Sequence, residues 1–397
     1  MKKLCAIMFI VSFLFVLTAC GGGEESGNGR NDGKFILGVN VPLSGAQSDP
    51  GQQNLNAVKL AVAQFNAEGG FNGEQIELVV YDDEADPATS LANTTRLITQ
   101  DNVDAIIGSQ MSSCMVGVLD TLTQYQIPCF TGGTSPSLTN AGCKYVFRST
   151  INQDYTMVDV MEVFQMLGYT KVGLFTGEDE AQVASGDQFV ASCEEIGIEV
   201  VGREYAPDAD TDYTAQCARL IAAEPDAIFF AGSNDTQTLV VKQLRQNGYK
   251  KMLWNKETLG QYAIDICEEA ADYVAFSWPS IMYTDANDAS GLMKDFLVAY
   301  EAEYGILPTS NVAYRGYDAM LILKAGCEKA GTNESAKIAE AIHTISALEG
   351  TGGMMDFTNG TGEGYQKGQL YYVKDMKYHP FMEWYESGGY DEWLNTL

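Results

Sequence analysis

The chain holds 397 residues, 46% hydrophobic and 19% charged, too many for one ordinary domain and enough for two sizeable cores. Its formal net charge of −29 excludes a nucleic-acid partner, whose phosphates an acidic surface repels; otherwise it reads as a solvated surface. Two histidines, His343 and His379, and no CxxC pair leave nothing for a zinc site, and no metal or cofactor is expected.

Residues 4–17 form an apolar run behind Lys2-Lys3, too short for a good membrane span. Leu17-Thr18-Ala19-Cys20 follows where cleavage would fall, and resembles a bacterial lipobox. The resemblance implies a signal peptide over 1–19 and lipidation of Cys20. It also implies anchoring to the outer face of the bacterial cytoplasmic membrane. Two or more acyl chains hold a protein stably where one is marginal. The stretch 20–33, rich in Gly, Asn and Glu, reads as the lipidated flexible tether. The seven later cysteines, an odd number in a large chain, read mostly as small buried hydrophobes.

From residue 34 the pattern alternates strand and helix. Strands are predicted over 35–41 and 75–81, and helices over 52–68 and 88–100, the latter opened by Pro87. The stretch 104–136 then reads as strand (104–108), polar loop, helix (115–126), strand (127–130) and second polar loop. Two parallel strands therefore end side by side. In open α/β sheets, ligands bind outside the carboxyl ends of the strands. A helix start there offers unpaired N–H groups to an anion. Ser112, Ser113 and Thr134 add hydroxyls, and Gly132-Gly133 lets a ligand approach the backbone. The pattern predicts a pocket for a small carboxylate. The plainer reading of each loop, a helix cap or turn, stands beside it.

A second series follows. A strand over 144–148 closes the first series, and in the second, from Asn152, strands are predicted over 171–175, 199–205, 227–230, 252–254 and 273–276. Helices are predicted over 154–167, 183–195 (after a loop over 176–182), 213–223, 236–246 and 259–269. Trp278-Pro279 reads as a crossing. Helices over 290–304, 312–329 and 335–344 and strands over 369–373 and 380–385 complete the chain. The repeated series predicts two similar Rossmann-like α/β lobes with parallel central sheets, joined by a multi-strand hinge, with a ligand cleft between them. The first lobe is assigned 34–149 and 279–350, the second 150–278 and 351–397. The late aromatics, such as Tyr372 and Trp384, read as packing under the second lobe rather than as a carbohydrate platform.

Several ordered landmarks carry a family resemblance. They are Pro42-Leu43-Ser44-Gly45, Asn66-Ala67-Glu68-Gly69-Gly70-Phe71-Asn72-Gly73, Tyr81-Asp82-Asp83, Asp86-Pro87, Ile107-Gly108 with Ser112-Ser113, Thr134-Ser135-Pro136 and Tyr314-Arg315-Gly316-Tyr317-Asp318-Ala319. Together they resemble the extracytoplasmic solute-binding proteins of the Leu/Ile/Val-binding type, the periplasmic binding protein type I class that serves ABC importers. The resemblance implies that the Ser112 hydroxyl and Thr134 amide hold an amino-acid carboxylate. It implies that the Gly132 carbonyl and Thr134 hydroxyl face the ammonium, with Gly133 beside them. Glu257 falls where relatives place an acid for that ammonium, on the closing lobe.

Departures shape the expected ligand. Gln182 stands about where relatives have a Tyr-Gly pair, and the aromatics they carry near Pro50 and near Ser233-Asn234 are missing. The pocket around Gln47, Ser48, Gln182, Ser233 and Asn234 is therefore expected to be polar, favouring a polar or differently shaped ligand over leucine. Amides and short or aromatic carboxylates stay open as ligands. An ABC permease complex is the implied partner, and a membrane receptor that senses the loaded protein is the alternative. A serine hydrolase would need a base beside its nucleophile. The chain has no G-x-S-x-G elbow, and its histidines lie far along, so no enzyme is expected.

Overall fold

The structure is a computed structural model that describes residues 33–178 and 180–397. The signal peptide, Cys20 and nearly all of the tether lie outside the described residues. Strand β1 (Lys34–Val41) pairs in parallel with β2 (Gln75–Asp82) on one side. β3 (Ala105–Ile107), β4 (Cys129–Thr131) and β5 (Val146–Ile151) extend the sheet on the other. The chain then crosses to a second parallel set: β6 (Lys171–Thr176), β7 (Glu199–Tyr205), β8 (Ala227–Ala231), β9 (Leu253–Asn255) and β10 (Val274–Trp278). After three α-helices come the hairpin of β11 (Leu348–Gly350) and β12 (Gly353–Met355), then β13 (Glu363–Tyr365). β14 (Gln369–Lys374) and β15 (Lys377–Pro380) close the second sheet antiparallel.

Among the described residues the first sheet runs β13-β5-β4-β3-β1-β2 and the second β15-β14-β10-β9-β8-β6-β7. The central strands are buried along almost their whole length, as in β1, β5 and β8, because helices cover both faces of a parallel sheet. Three connections join the lobes, after β5, after β10 and between β13 and β14.

Helices Ser48–Ala67 and Val312–Ala330 pack closely on the first sheet. Gly316 permits this approach, since a Cβ there would meet Asn54 at 2.8 Å. The Asn54 amide donates to the Val312 carbonyl at 3.1 Å. In the second lobe Phe189 and Phe229 stack at 4.2 Å, and Phe164 meets Trp254 edge-on. The seven cysteines among the described residues are all buried and unpaired.

Three expectations change. Residues 351–365, read as second lobe, pair and pack with the first: β13 lies beside β5, and Met355, Phe357 and Tyr365 join the first core. The crossing therefore comes at 366–368. The predicted helix 115–126 is two short ones, Ser112–Val116 and Leu119–Tyr125. Gly117, a poor helix residue, sits at the break. Residues 381–385, read as strand, begin the helix Phe381–Glu386 behind Pro380. Proline suits a helix start, and Phe381 and Trp384, three apart, face one way onto Tyr372, whose ring lies 4.3 Å from that of Trp384.

Candidate functional site

β3 and β4 end together, Ile107 opposite Phe130, so their polar loops meet. The Thr131 hydroxyl donates to the Ser109 carbonyl at 2.8 Å and accepts from the Gly133 amide at 3.0 Å. The Ser112 hydroxyl accepts from the Ser135 amide at 3.2 Å. Ser112 and Thr134 are half-buried and Ser113 is exposed. The Thr134 carbonyl accepts from Gln153 at the first residue of the helix Gln153–Met166, just past the first crossing. The loop is thereby tied to the hinge.

A buried ion pair braces the loop from behind. Arg148 and Glu363, 0% and 2% exposed, meet at 2.7 Å. The other arms of the guanidinium donate to the Gly133 carbonyl and, at 2.8 Å, to the Ser135 carbonyl. Glu363 accepts further from the Thr139 hydroxyl and the Asn152 amide. The acid comes from β13 and the base from β5, so the late return of the chain to the first sheet holds the loop's shape.

The glycines serve a different purpose from the expected one. A Cβ on Gly133 would meet Ser112 and Leu138. One on Gly132 would run into the Gln110 carboxamide oxygen and the Arg315 side chain. The room beside the backbone is taken by the protein's own side chains. The Gly132 carbonyl, expected to face an ammonium, accepts from Arg315 Nη1 at 2.8 Å. Arg315 Nη2 donates to Asn311 at 3.0 Å, and the guanidinium carbon lies 5.7 Å from the Trp278 ring centre.

A cleft of about 290 Å³ opens here, lined by Gln47, Gln110, Met111 and Arg315 of the first lobe, Glu257 and Thr258 of the second, and Trp278 at the crossing. Burial, above any other cause, draws the Arg315 guanidinium down to about 10. Glu257 across the cleft opposes that shift and Arg148 adds to it. Arg315 therefore stays charged at neutral pH. Two buried atoms here have no hydrogen-bond partner, Arg315 Nε and Gln110 Oε1. Each such atom costs about 1–3 kcal/mol.

Of the expected ligand residues, only Glu257 is among the described residues that line this cleft; the Ser112 loop reaches it through Gln110 and Met111, the Thr134 loop borders it behind Arg315, and Gln182 and Ser233 lie elsewhere. They converge on Asp208, which accepts from the Ser233 hydroxyl at 2.7 Å and from Thr236 at 2.6 Å. Thr236, Ser233 and Gln182, in that order, hold the Asp208 carboxyl below its usual range against a small burial cost. Ser233 is also the N-cap of the helix Asn234–Gln246, the plainer reading of such a loop. The Asn234 side chain lies outside the described residues.

Sequence reasoning missed Arg315, Gln110, Trp278, Asp208 and the Arg148–Glu363 pair. Arg315 had a signal: it is a lone charge between aromatic and small residues in Ala313-Tyr314-Arg315-Gly316-Tyr317. Trp278 supplies an aromatic wall from the crossing, where none was expected. The ion pair joins residues 215 positions apart and left no local trace.

Among the described residues no group of His, Cys, Asp or Glu is placed to hold a metal ion, and no helix is long and apolar enough to cross a membrane. The chain is 26% identical to Leu/Ile/Val-binding protein homolog 3 of Brucella melitensis, over 83% of this chain and 88% of that one. It is also 26% identical to the leucine-, isoleucine-, valine-, threonine- and alanine-binding protein of Pseudomonas aeruginosa, over 87% and 91%. The crystal structure of a leucine binding protein from Thermotoga maritima superposes with a TM-score of 0.69 at 25% identity, covering 87% of this chain and 97% of that one. Two parallel-sheet lobes, a three-connection hinge and a cleft at the strand ends agree with the match of residues 36–377 to the periplasmic binding protein family, to which this chain belongs.

Proposed function

We propose that the chain is the solute-binding component of an ABC importer and that it captures a small amino acid in the cleft. The observation that carries this reading is the meeting of the Ser112 and Thr134 loops at the ends of adjacent parallel strands, beside a cleft that Gln110 and Met111 line with Glu257 of the other lobe. In this reading the Ser112 hydroxyl and the Thr134 amide hold the carboxylate, with Ser113 beside them, and Glu257 takes the ammonium. A charged hydrogen bond contributes about 1.5–3 kcal/mol net, so several must act together on a small, well-hydrated solute. Contacts made only in the closed state, chiefly those of Glu257, would drive closure.

The amino-acid assignment draws support from the relatives, whose names record amino-acid binding. Attachment through Cys20 to the outer face of the membrane would keep the loaded protein beside its permease. Calorimetric titration with the twenty amino acids tests the reading. At least one is expected to bind with one-to-one stoichiometry, and Ser112→Ala and Thr134→Ala are each expected to weaken it about tenfold or more. Binding by none, or unchanged affinity in both variants, overturns it.

A further inference from the structure

Arg315 does not fit a site built for a simple zwitterion. The carbonyl expected to receive an ammonium, that of Gly132, already receives Arg315 Nη1 at 2.8 Å. The protein brings its own cation to that point. The guanidinium is fixed by Asn311 at 3.0 Å and by the Trp278 ring. Its Nε is buried with no acceptor. Among the described residues lining this cleft, Arg315 is the cation and Glu257 the acid.

Charge balance then constrains the occupant. A ligand ammonium drawn to Glu257 takes away the charge that faces Arg315 across the cleft. A ligand carboxylate held by Ser112 and Thr134 meets neutral donors only. A guanidinium shielded from water on a ligand-filled site needs a compensating anion, and its fork suits a carboxylate. We propose that Arg315 is a specificity-determining residue that receives a second carboxylate, so that the preferred solute is an acidic amino acid. This rests on the amino-acid reading of the cleft and narrows it.

The test is calorimetric titration of the full chain with L-glutamate, L-aspartate and L-leucine. At least one acidic amino acid is expected to bind 100-fold or more tighter than L-leucine. Arg315→Met is expected to lower that affinity at least 30-fold, and at least tenfold more than it lowers L-leucine binding, and Arg315→Lys to recover part of the loss. Circular dichroism and the melting temperature report whether each variant is folded; if Arg315→Met is not, the ranking in the unaltered chain and Arg315→Lys decide. L-leucine binding as tightly as both acidic amino acids, or an equal loss for all three in Arg315→Met, overturns the proposal and leaves the amino-acid reading intact. Binding by none of the twenty amino acids overturns the amino-acid reading and this proposal with it.

Discussion

Replacing Glu363 by alanine tests the brace behind the binding loop. The change removes the carboxylate that Arg148 meets at 2.7 Å, where the two side chains are 0% and 2% exposed. The guanidinium would keep only neutral acceptors, the carbonyls of Gly133 and Ser135. The Thr139 hydroxyl and Asn152 amide would each lose an acceptor. Breaking a buried pair from one side costs about 3–5 kcal/mol, a large share of the about 5–15 kcal/mol that holds a typical domain. Equilibrium urea unfolding should show the unfolding free energy falling by that amount, read as a lower midpoint with the slope unchanged. The double variant Arg148→Met, Glu363→Leu should recover only part of the stability, because an apolar pair of similar volume replaces the buried ion pair at little cost while the groups that Arg148 and Glu363 had satisfied stay unpaired. It should lower ligand affinity, because the Gly133 and Ser135 carbonyls would lose the donors that Arg148 gives them. A loss under about 1 kcal/mol in Glu363→Ala, or full affinity in the double variant, would refute the reasoning.

Asp318, buried where it accepts from Thr351 and Tyr365, has its carboxyl pushed up by burial to about 6. Between pH 4 and 6 the folded chain holds a proton that the unfolded chain has lost, so stability should fall as pH rises through that window, with the full penalty above it. Relative to Asp318→Asn, the unaltered chain should lose about 2–3 kcal/mol between pH 4 and pH 7; parallel stability curves for the two would contradict this. Gly51→Ala should destabilise by about 1–3 kcal/mol despite alanine's better helix propensity, because a Cβ at this position meets the Pro42 carbonyl; a raised melting temperature would count against it. Cys20→Ser should move the protein from the membrane pellet to the soluble exported fraction and abolish labelling by a fatty-acid probe.

The lobes were legible because the chemistry that makes them is local. Runs such as Phe35-Ile36-Leu37 mark buried parallel strands, and Asp86-Pro87 marks a helix start, where Asp86 accepts from the Thr89 amide at 2.8 Å. The return of residues 363–365 to the first sheet was not legible. Glu363-Gly364-Tyr365 has little strand character, and its place is set by Arg148 far along the chain. The Ser112 and Thr134 loops were legible as a pair because both follow short apolar strands. Gly132 and Gly133 were read as room for a ligand, yet Gln110, Arg315 and Ser112 fill that room. Small residues in sequence mark a close approach without naming what approaches. Ser233 and Gln182 converge on Asp208, a partner supplied by the acidic loop after β7, which the sequence shows only as turn-forming.

The measurement that bears most directly on the account is a crystal structure of the chain with an amino acid identified by titration. The account predicts the ligand carboxylate within hydrogen-bond distance of the Ser112 hydroxyl and the Thr134 amide, its ammonium facing Glu257, and the lobes drawn together around it. A ligand seated away from the cleft, with Ser112 and Thr134 untouched, would contradict it.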